Sequence, residues 1–174
     1  MLSLYCLFAL FDIGMIIYRI EVKSIVSVLS SRNITEIQPN AFAYLPKLES
    51  IVLHENSLTR IEENTFCNLP VLKYLILNNN KITVIKKTAF CNLPVLQEII
   101  LHQNPISTIE YDAFVNVQAT TLSFTGYPLN CNCSLLWFPL WLKSRPLTQV
   151  EGTCKNFAKG VDKLVQEDLK YCFG

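Results

Sequence analysis

Leu69-Pro70-Val71-Leu72-Lys73-Tyr74-Leu75-Ile76-Leu77-Asn78-Asn79-Asn80-Lys81-Ile82 returns when the chain is shifted by 24 positions in either direction. Upstream, Leu45-Pro46-Lys47-Leu48 precedes Ile51, Leu53, Asn56 and Leu58; downstream, Leu93-Pro94-Val95-Leu96 precedes Ile99, Leu101, Asn104 and Ile106. Phenylalanines keep the same interval at 42, 66, 90 and 114, and Phe-Cys-Asn-Leu-Pro-Val-Leu occurs twice verbatim, from Phe66 and from Phe90. A fixed interval of this size means one unit repeated and stacked, because no single unit can bury its apolar face alone. An amphipathic helix repeated at this spacing fails to explain why Asn and Pro also recur at fixed places.

Elementary geometry assigns the residues of one unit. Leu75 and Leu77 are two apart, so a short strand turns both inward and leaves Tyr74 and Ile76 outside. Leu72 enters the interior from the bend before the strand, and Ile82, Ile85, Phe90 and Leu93 fill it from the other side of the coil. Asn80 follows the strand, where its amide can satisfy backbone groups that a turn would otherwise strand in an apolar interior.

Leu-x-x-Leu-x-Leu-x-x-Asn-x-Leu, with Ile or Leu at the leucine places, is matched three times in register. From about Ile34 to Leu129 the chain resembles the leucine-rich repeat superfamily. The resemblance implies an α/β leucine-rich repeat solenoid with a short parallel β-sheet on its concave face, an irregular convex side and a disulfide-bonded C-terminal cap. Residues 1–23 then form an apolar leader, 24–126 the repeats and 127–174 the cap.

Tyr127-Pro128-Leu129-Asn130-Cys131-Asn132-Cys133, followed by Trp137, Trp141-Leu142, Cys154 and Cys172, is similar to the flanking cap of extracellular members of Slit-like and Toll-like type. Departures are Tyr127 where Asn is usual, Leu129 where Trp is common, and Pro139 within the expected helix, where it removes a hydrogen bond unless it sits in the first turn. Four cysteines allow three pairings; the cap resemblance implies Cys131–Cys154 and Cys133–Cys172. Loops of those sizes would stabilise the cap by roughly 3–4 kcal/mol each on the chain-entropy account. Leu135, Leu136, Phe138 and Leu142, with the tryptophans, would cover the apolar end of the last coil. A zinc site built from the same cysteines is the competing reading and requires a reducing compartment. Leu164, Val165 and Leu169 are spaced for the apolar edge of a short helix leading to Cys172. No hydrophobic stretch follows it, so no C-terminal membrane span or signalling domain is expected.

Composition narrows the setting. In 174 residues, 51% are hydrophobic and 17% charged, which excludes a disordered chain. A net charge of +1 without a basic run points away from nucleic acid. Seven cysteines point to an oxidising compartment, hence to an extracellular, secreted or cell-surface protein.

At the N-terminus, Leu2 to Phe11 has the length of a signal-peptide core, yet no positive charge precedes it and no small-x-small cleavage site follows. A membrane anchor running to Ile20 would place Asp12 in the bilayer, at roughly 2.5–3.5 kcal/mol. The unprocessed start of a truncated gene is a third reading. Extracellular relatives usually begin with a four-cysteine cap, but Cys6 is the only cysteine before Cys67. The segment from Ser24 to Ile34 reads as a worn first repeat: Leu29 and Ile34 align with Leu53 and Leu58, while Arg32 stands where Asn belongs. Residues 14–30 or an additional segment must shield that end. Asn33-Ile34-Thr35 is an N-glycosylation acceptor in the turn after a strand. Asn132-Cys133-Ser134 also fits the pattern, but its middle residue is expected to be bonded.

Outward strand positions form columns across the concave surface: Ser50, Tyr74, Glu98 and Thr121; Val52, Ile76, Ile100 and Ser123; His54, Asn78, His102 and Thr125. The last repeat is one residue short, so Ile99 matches Leu122. An aromatic and three aliphatics facing solvent within a polar rim are what a partner-binding face would show; the plainer reading is that β-branched residues favour strands whichever way they point. His54 and His102 lie two strands apart, about 10 Å, too far to share a metal. Cys67 and Cys91 occupy equivalent places within disulfide reach, but duplication alone explains the pair, and free thiols on the convex face are expected.

There is no Gly-rich phosphate loop, no Gly-x-Ser-x-Gly and no His-Glu-x-x-His, so neither an enzyme nor a cofactor is expected. The expected function is binding of a protein partner through Ser50, Val52, His54, Tyr74, Ile76, Asn78, Glu98, Ile100 and His102, with membrane contact only through an N-terminal anchor. The resemblance implies adhesion, guidance or pattern recognition without choosing among them. The alternative is a truncated receptor ectodomain, a structural or decoy fragment without activity of its own.

Overall fold

The computed structural model describes residues 5–11, 14–21, 25–144, 149–157, 159–163, 165 and 168. Strands β1 (Tyr5–Phe11) and β2 (Gly14–Glu21) form an antiparallel hairpin. β3 (Val26–Val28) and β4 (Ile34–Ile37) open the repeats. The next coils each carry short strands on three sides. These are β5 (Ser50–Val52), β6 (Arg60–Ile61) and β7 (Phe66–Cys67); β8 (Tyr74–Ile76), β9 (Val84–Ile85) and β10 (Phe90–Leu93); and β11 (Glu98–Ile100), β12 (Thr108–Ile109) and β13 (Phe114–Val117). β14 (Thr121–Ser123) begins the last coil, and a 3-10 turn at Cys133–Leu135, helix α1 (Phe138–Lys143) and strand β15 (Gln149–Glu151) follow.

Stacking the coils makes three parallel sheets. One has six strands in the order β15-β14-β11-β8-β5-β3; the others run β12-β9-β6 and β13-β10-β7. The chain is thus the expected leucine-rich repeat solenoid, its concave face a parallel sheet and its convex side short strands and turns. Among the described residues the only α-helix lies in the C-terminal segment. Pro139 falls in the first turn of α1, where a missing N–H costs nothing.

The interior is one continuous apolar column. Ile51, Leu53, Leu75, Leu77, Ile99 and Leu101 point inward from the concave strands and are fully buried. Behind them Phe42, Phe66, Phe90 and Phe114 stack at centroid spacings of 5.4, 5.7 and 5.0 Å. The column continues into α1, where the Trp141 ring lies 5.1 Å from Phe114 and its indole N–H donates to the Phe114 carbonyl at 3.1 Å. Leu135 and Phe138 are buried against the last coil, with Leu136, Trp137 and Leu142 beside them. At the other end β2 runs parallel to β4, the Gln38 N–H donates to the Ile17 carbonyl at 2.8 Å, and Ile17 is fully buried. The first coil's apolar end is therefore covered from residues upstream of it.

Asn56, Asn80 and Asn104 are buried among these apolar groups, and each ties its coil to the one before. Asn80 Oδ1 accepts from Leu58 N at 3.0 Å, while its Nδ2 donates to the carbonyls of Leu53 and Leu77, both at 3.0 Å. Asn56 and Asn104 repeat the arrangement one coil away on either side.

Two cysteine assignments need stating. Cys67 and Cys91, expected as free thiols, are joined by a disulfide with Cα atoms 4.6 Å apart. Their strands β7 and β10 pair with these two residues directly opposite, so coil stacking itself brings the sulfurs together. Duplication explains why both cysteines exist and leaves open what they do. A second disulfide joins Cys131 to Cys154, with Cα atoms 5.5 Å apart, and Cys133 is also disulfide-bonded. Its implied partner Cys172 lies outside the described residues, as do Leu164 and Leu169.

The coil corners are tight. Three columns hold left-handed backbone: Ser31, Glu55, Asn79 and Gln103; Asn40, Asn64, Thr88 and Asp112; Tyr44, Asn68, Asn92 and Asn116, with φ from 51° to 64°. Asn and Asp tolerate this conformation, but a β-branched residue crowds its own backbone there. Thr88 (φ 51°) is the β-branched member of its column. Replacing Thr88 with asparagine keeps the backbone bonds to Asn64 and Asp112 and should raise stability by about 1 kcal/mol, read as a higher thermal midpoint.

Candidate functional site

Outward positions of the six-stranded sheet form the candidate site, and strand pairing fixes their columns. Ser50, Tyr74, Glu98 and Thr121 lie opposite one another on β5, β8, β11 and β14, as do Val52, Ile76, Ile100 and Ser123. The sheet extends this array at both ends. β3 adds Val26 and Val28 opposite Ser50 and Val52, and β15 adds Gln149 and Glu151 opposite Thr121 and Ser123. The alignment of Leu29 with Leu53 carried the signal for Val26 and Val28. Gln149 and Glu151 had none, because β15 lies beyond the periodic region.

The resulting surface changes character along the solenoid axis. Val28, Val52, Ile76 and Ile100 make an aliphatic stripe over four adjacent strands; Val28 is 55% exposed, and the other three are half-buried by their neighbours. Tyr74 stands beside the stripe, 37% exposed. Towards the C-terminal end the stripe gives way to Ser123, which is buried and donates to Glu151 at 3.1 Å. His54, Asn78 and His102 border the stripe at the strand ends, where their carbonyls accept from Ser31, Glu55 and Asn79 and continue the ladder. His54 Nδ1 lies 3.8 Å from Glu55 Oε1, and no cluster of three or more metal-ligating side chains occurs among the described residues.

Paired charges join neighbouring coils, and Lys73, just before β8, also interacts with Tyr74. Lys73 contacts Glu49 at 2.7 Å and Lys86 contacts Glu110 at 2.8 Å, each across one coil boundary. The hydrogen bond to Lys86 holds the Glu110 carboxyl below its ordinary range, and the same bond holds the Lys86 ammonium above its own. The carboxylate's contribution is present above its unfolded pKa and lost as pH falls through the depressed folded value. The lysine's is present below its unfolded pKa and lost as pH rises through the raised one. Side chains this exposed contribute little in either case.

Clefts of about 700 Å³, lined by residues including Tyr127, Asn130 and Lys155, and about 570 Å³, lined by residues including Tyr111, Trp137 and Leu140, lie off the concave sheet. In the second, the Ser134 hydroxyl is engaged by Asn132 Oδ1 and the Glu110 carboxylate by Lys86. Asn33 is exposed in a left-handed turn between β3 and β4, open to a modifying enzyme. Asn132 Oδ1 instead accepts from Ser134 N at 2.9 Å and Ser134 Oγ at 2.6 Å, beside a bonded Cys133.

A family model described as leucine rich repeat matches residues 28–82 and 70–122, which together span more than half the chain. No curated protein matches the chain in sequence.

Proposed function

Because the chain belongs to the leucine-rich repeat family, whose solenoids serve as protein-interaction scaffolds, we propose that it is an extracellular recognition module that seats a protein partner on its concave sheet. One observation carries the proposal. Val28, Val52, Ile76 and Ile100 are held outward in register, beside Tyr74 and inside a polar rim. A contiguous apolar strip of this kind marks an interaction surface better than scattered exposed aliphatics do. The bonded Cys67–Cys91 and Cys131–Cys154 suit an oxidising compartment, and Asn33 is the proposed glycan site. Adhesion, guidance and recognition receptors are the class this reading belongs to.

Substitution of Ile76 or Ile100 by aspartate tests it. Partners selected from a displayed library of extracellular domains should lose at least about 2 kcal/mol of binding, while thermal stability stays within about 1 kcal/mol of the parent. Unfolding of these variants would mean that the two side chains are core and the face is not a surface. Exposed Val26 and Val28 on the edge strand β3, with exposed Ile25 just before it, favour a second reading, in which the chain is part of a larger receptor ectodomain. Transcript sequence upstream of Met1 coding for further repeats or a four-cysteine cap would support that reading.

A further inference from the structure

Among the described residues of the two outward columns, Glu98 is the carboxylate that the fold itself does not use. It stands outward on β11, opposite Tyr74 on β8 and Thr121 on β14. Adjacent strands lie about 4.8 Å apart, so the carboxylate and the phenol ring stand side by side on one surface. Ile76 and Ile100 form the next column over. Elsewhere the carboxylates of Glu49 and Glu110 hold lysines, and that of Glu151 accepts from Ser123. Glu98 has no ion pair and no side-chain hydrogen bond among the described residues. The two outward columns carry no lysine or arginine, and their formal charges are those of Glu98 and Glu151; Lys73, which interacts with Tyr74 from the adjoining position, is neutralised by its pairing with Glu49.

An unpaired carboxylate beside an aromatic ring and two aliphatics offers a counter-charge both a partner and a surface to pack on. We infer that Tyr74 and Glu98 together bind an arginine side chain of a polypeptide partner, whose neighbouring aliphatic residue packs on Ile76 and Ile100. A guanidinium satisfies both groups at once: its planar face stacks on the phenol ring while its N–H fork pairs with the carboxylate. A lysine ammonium can meet the carboxylate but offers no face to stack. Charge complementarity thus selects a basic partner over an acidic one. The assignment rests on the concave sheet being the binding face, and narrows that reading to a partner chemistry.

Selection of a random peptide library on the full chain tests the assignment. Wild type should enrich arginine next to an aliphatic residue, and synthetic peptides from the selection should bind Glu98→Gln about tenfold more weakly. Glu98→Arg should enrich acidic peptides instead, and every variant should keep the parent's thermal melt. Peptides that are lost with Ile76→Asp but bind Glu98→Gln as well as wild type overturn the arginine assignment alone. Peptides indifferent to both substitutions, or a selection that enriches nothing, overturn it together with the concave-face reading.

Discussion

Replacing Asn80 with alanine should cost about 3–5 kcal/mol, a large share of what a domain of this size has to lose. The side chain is replaced, but the groups it served remain. Leu58 N–H and the Leu53 and Leu77 carbonyls lose the partners they have at 3.0 Å, in an interior too apolar to offer others. Asn80→Asp should do no better, since it sets a carboxylate oxygen against two carbonyls. The control is Asn92→Gly, which keeps a left-handed corner and drops only bonds to Asn68 and Asn116 that are open to water; it should cost under about 0.5 kcal/mol. Denaturant midpoints at constant slope would measure all three.

Phe90→Ala should cost a similar amount, about 3–5 kcal/mol, for a different reason. The ring is fully buried between Phe66 at 5.7 Å and Phe114 at 5.0 Å, so its removal opens a void that neighbours pinned by strand pairing cannot fill. Each coil touches only its neighbours, so stability is close to a sum of coil and interface terms. Loss of Phe90 weakens two interfaces at once. Hydrogen exchange should therefore show early opening on both sides of β10 while α1 and the last coil stay protected. Phe90→Leu, which fills part of the space, should recover about half of the loss.

Periodic features were legible in the amino-acid sequence because stacking repeats them. The alternation of Tyr74, Leu75, Ile76 and Leu77 determined which side chains stand outward on the concave sheet, and the interval of 24 determined which of them lie opposite. Contacts without a period were not legible. β15 joins the concave sheet through pairing with β14, and β2 runs along β4, yet neither strand shares the repeat's spacing. Cys67–Cys91 falls between these cases: its register was readable, but bond formation depends on how closely two paired strands bring their sulfurs. Glu98 was visible as an outward residue, whereas its lack of a counter-ion among the described residues emerged only once Lys73 was seen committed to Glu49.

The most direct measurement is photocrosslinking from a benzoylphenylalanine placed at Ile76 on the concave sheet or at Lys87 on the opposite side of the coil, in cells that express the protein. A protein adduct formed from position 76 and absent from position 87, with both variants melting like the parent, is the predicted result. Adducts from position 87 alone would contradict the account.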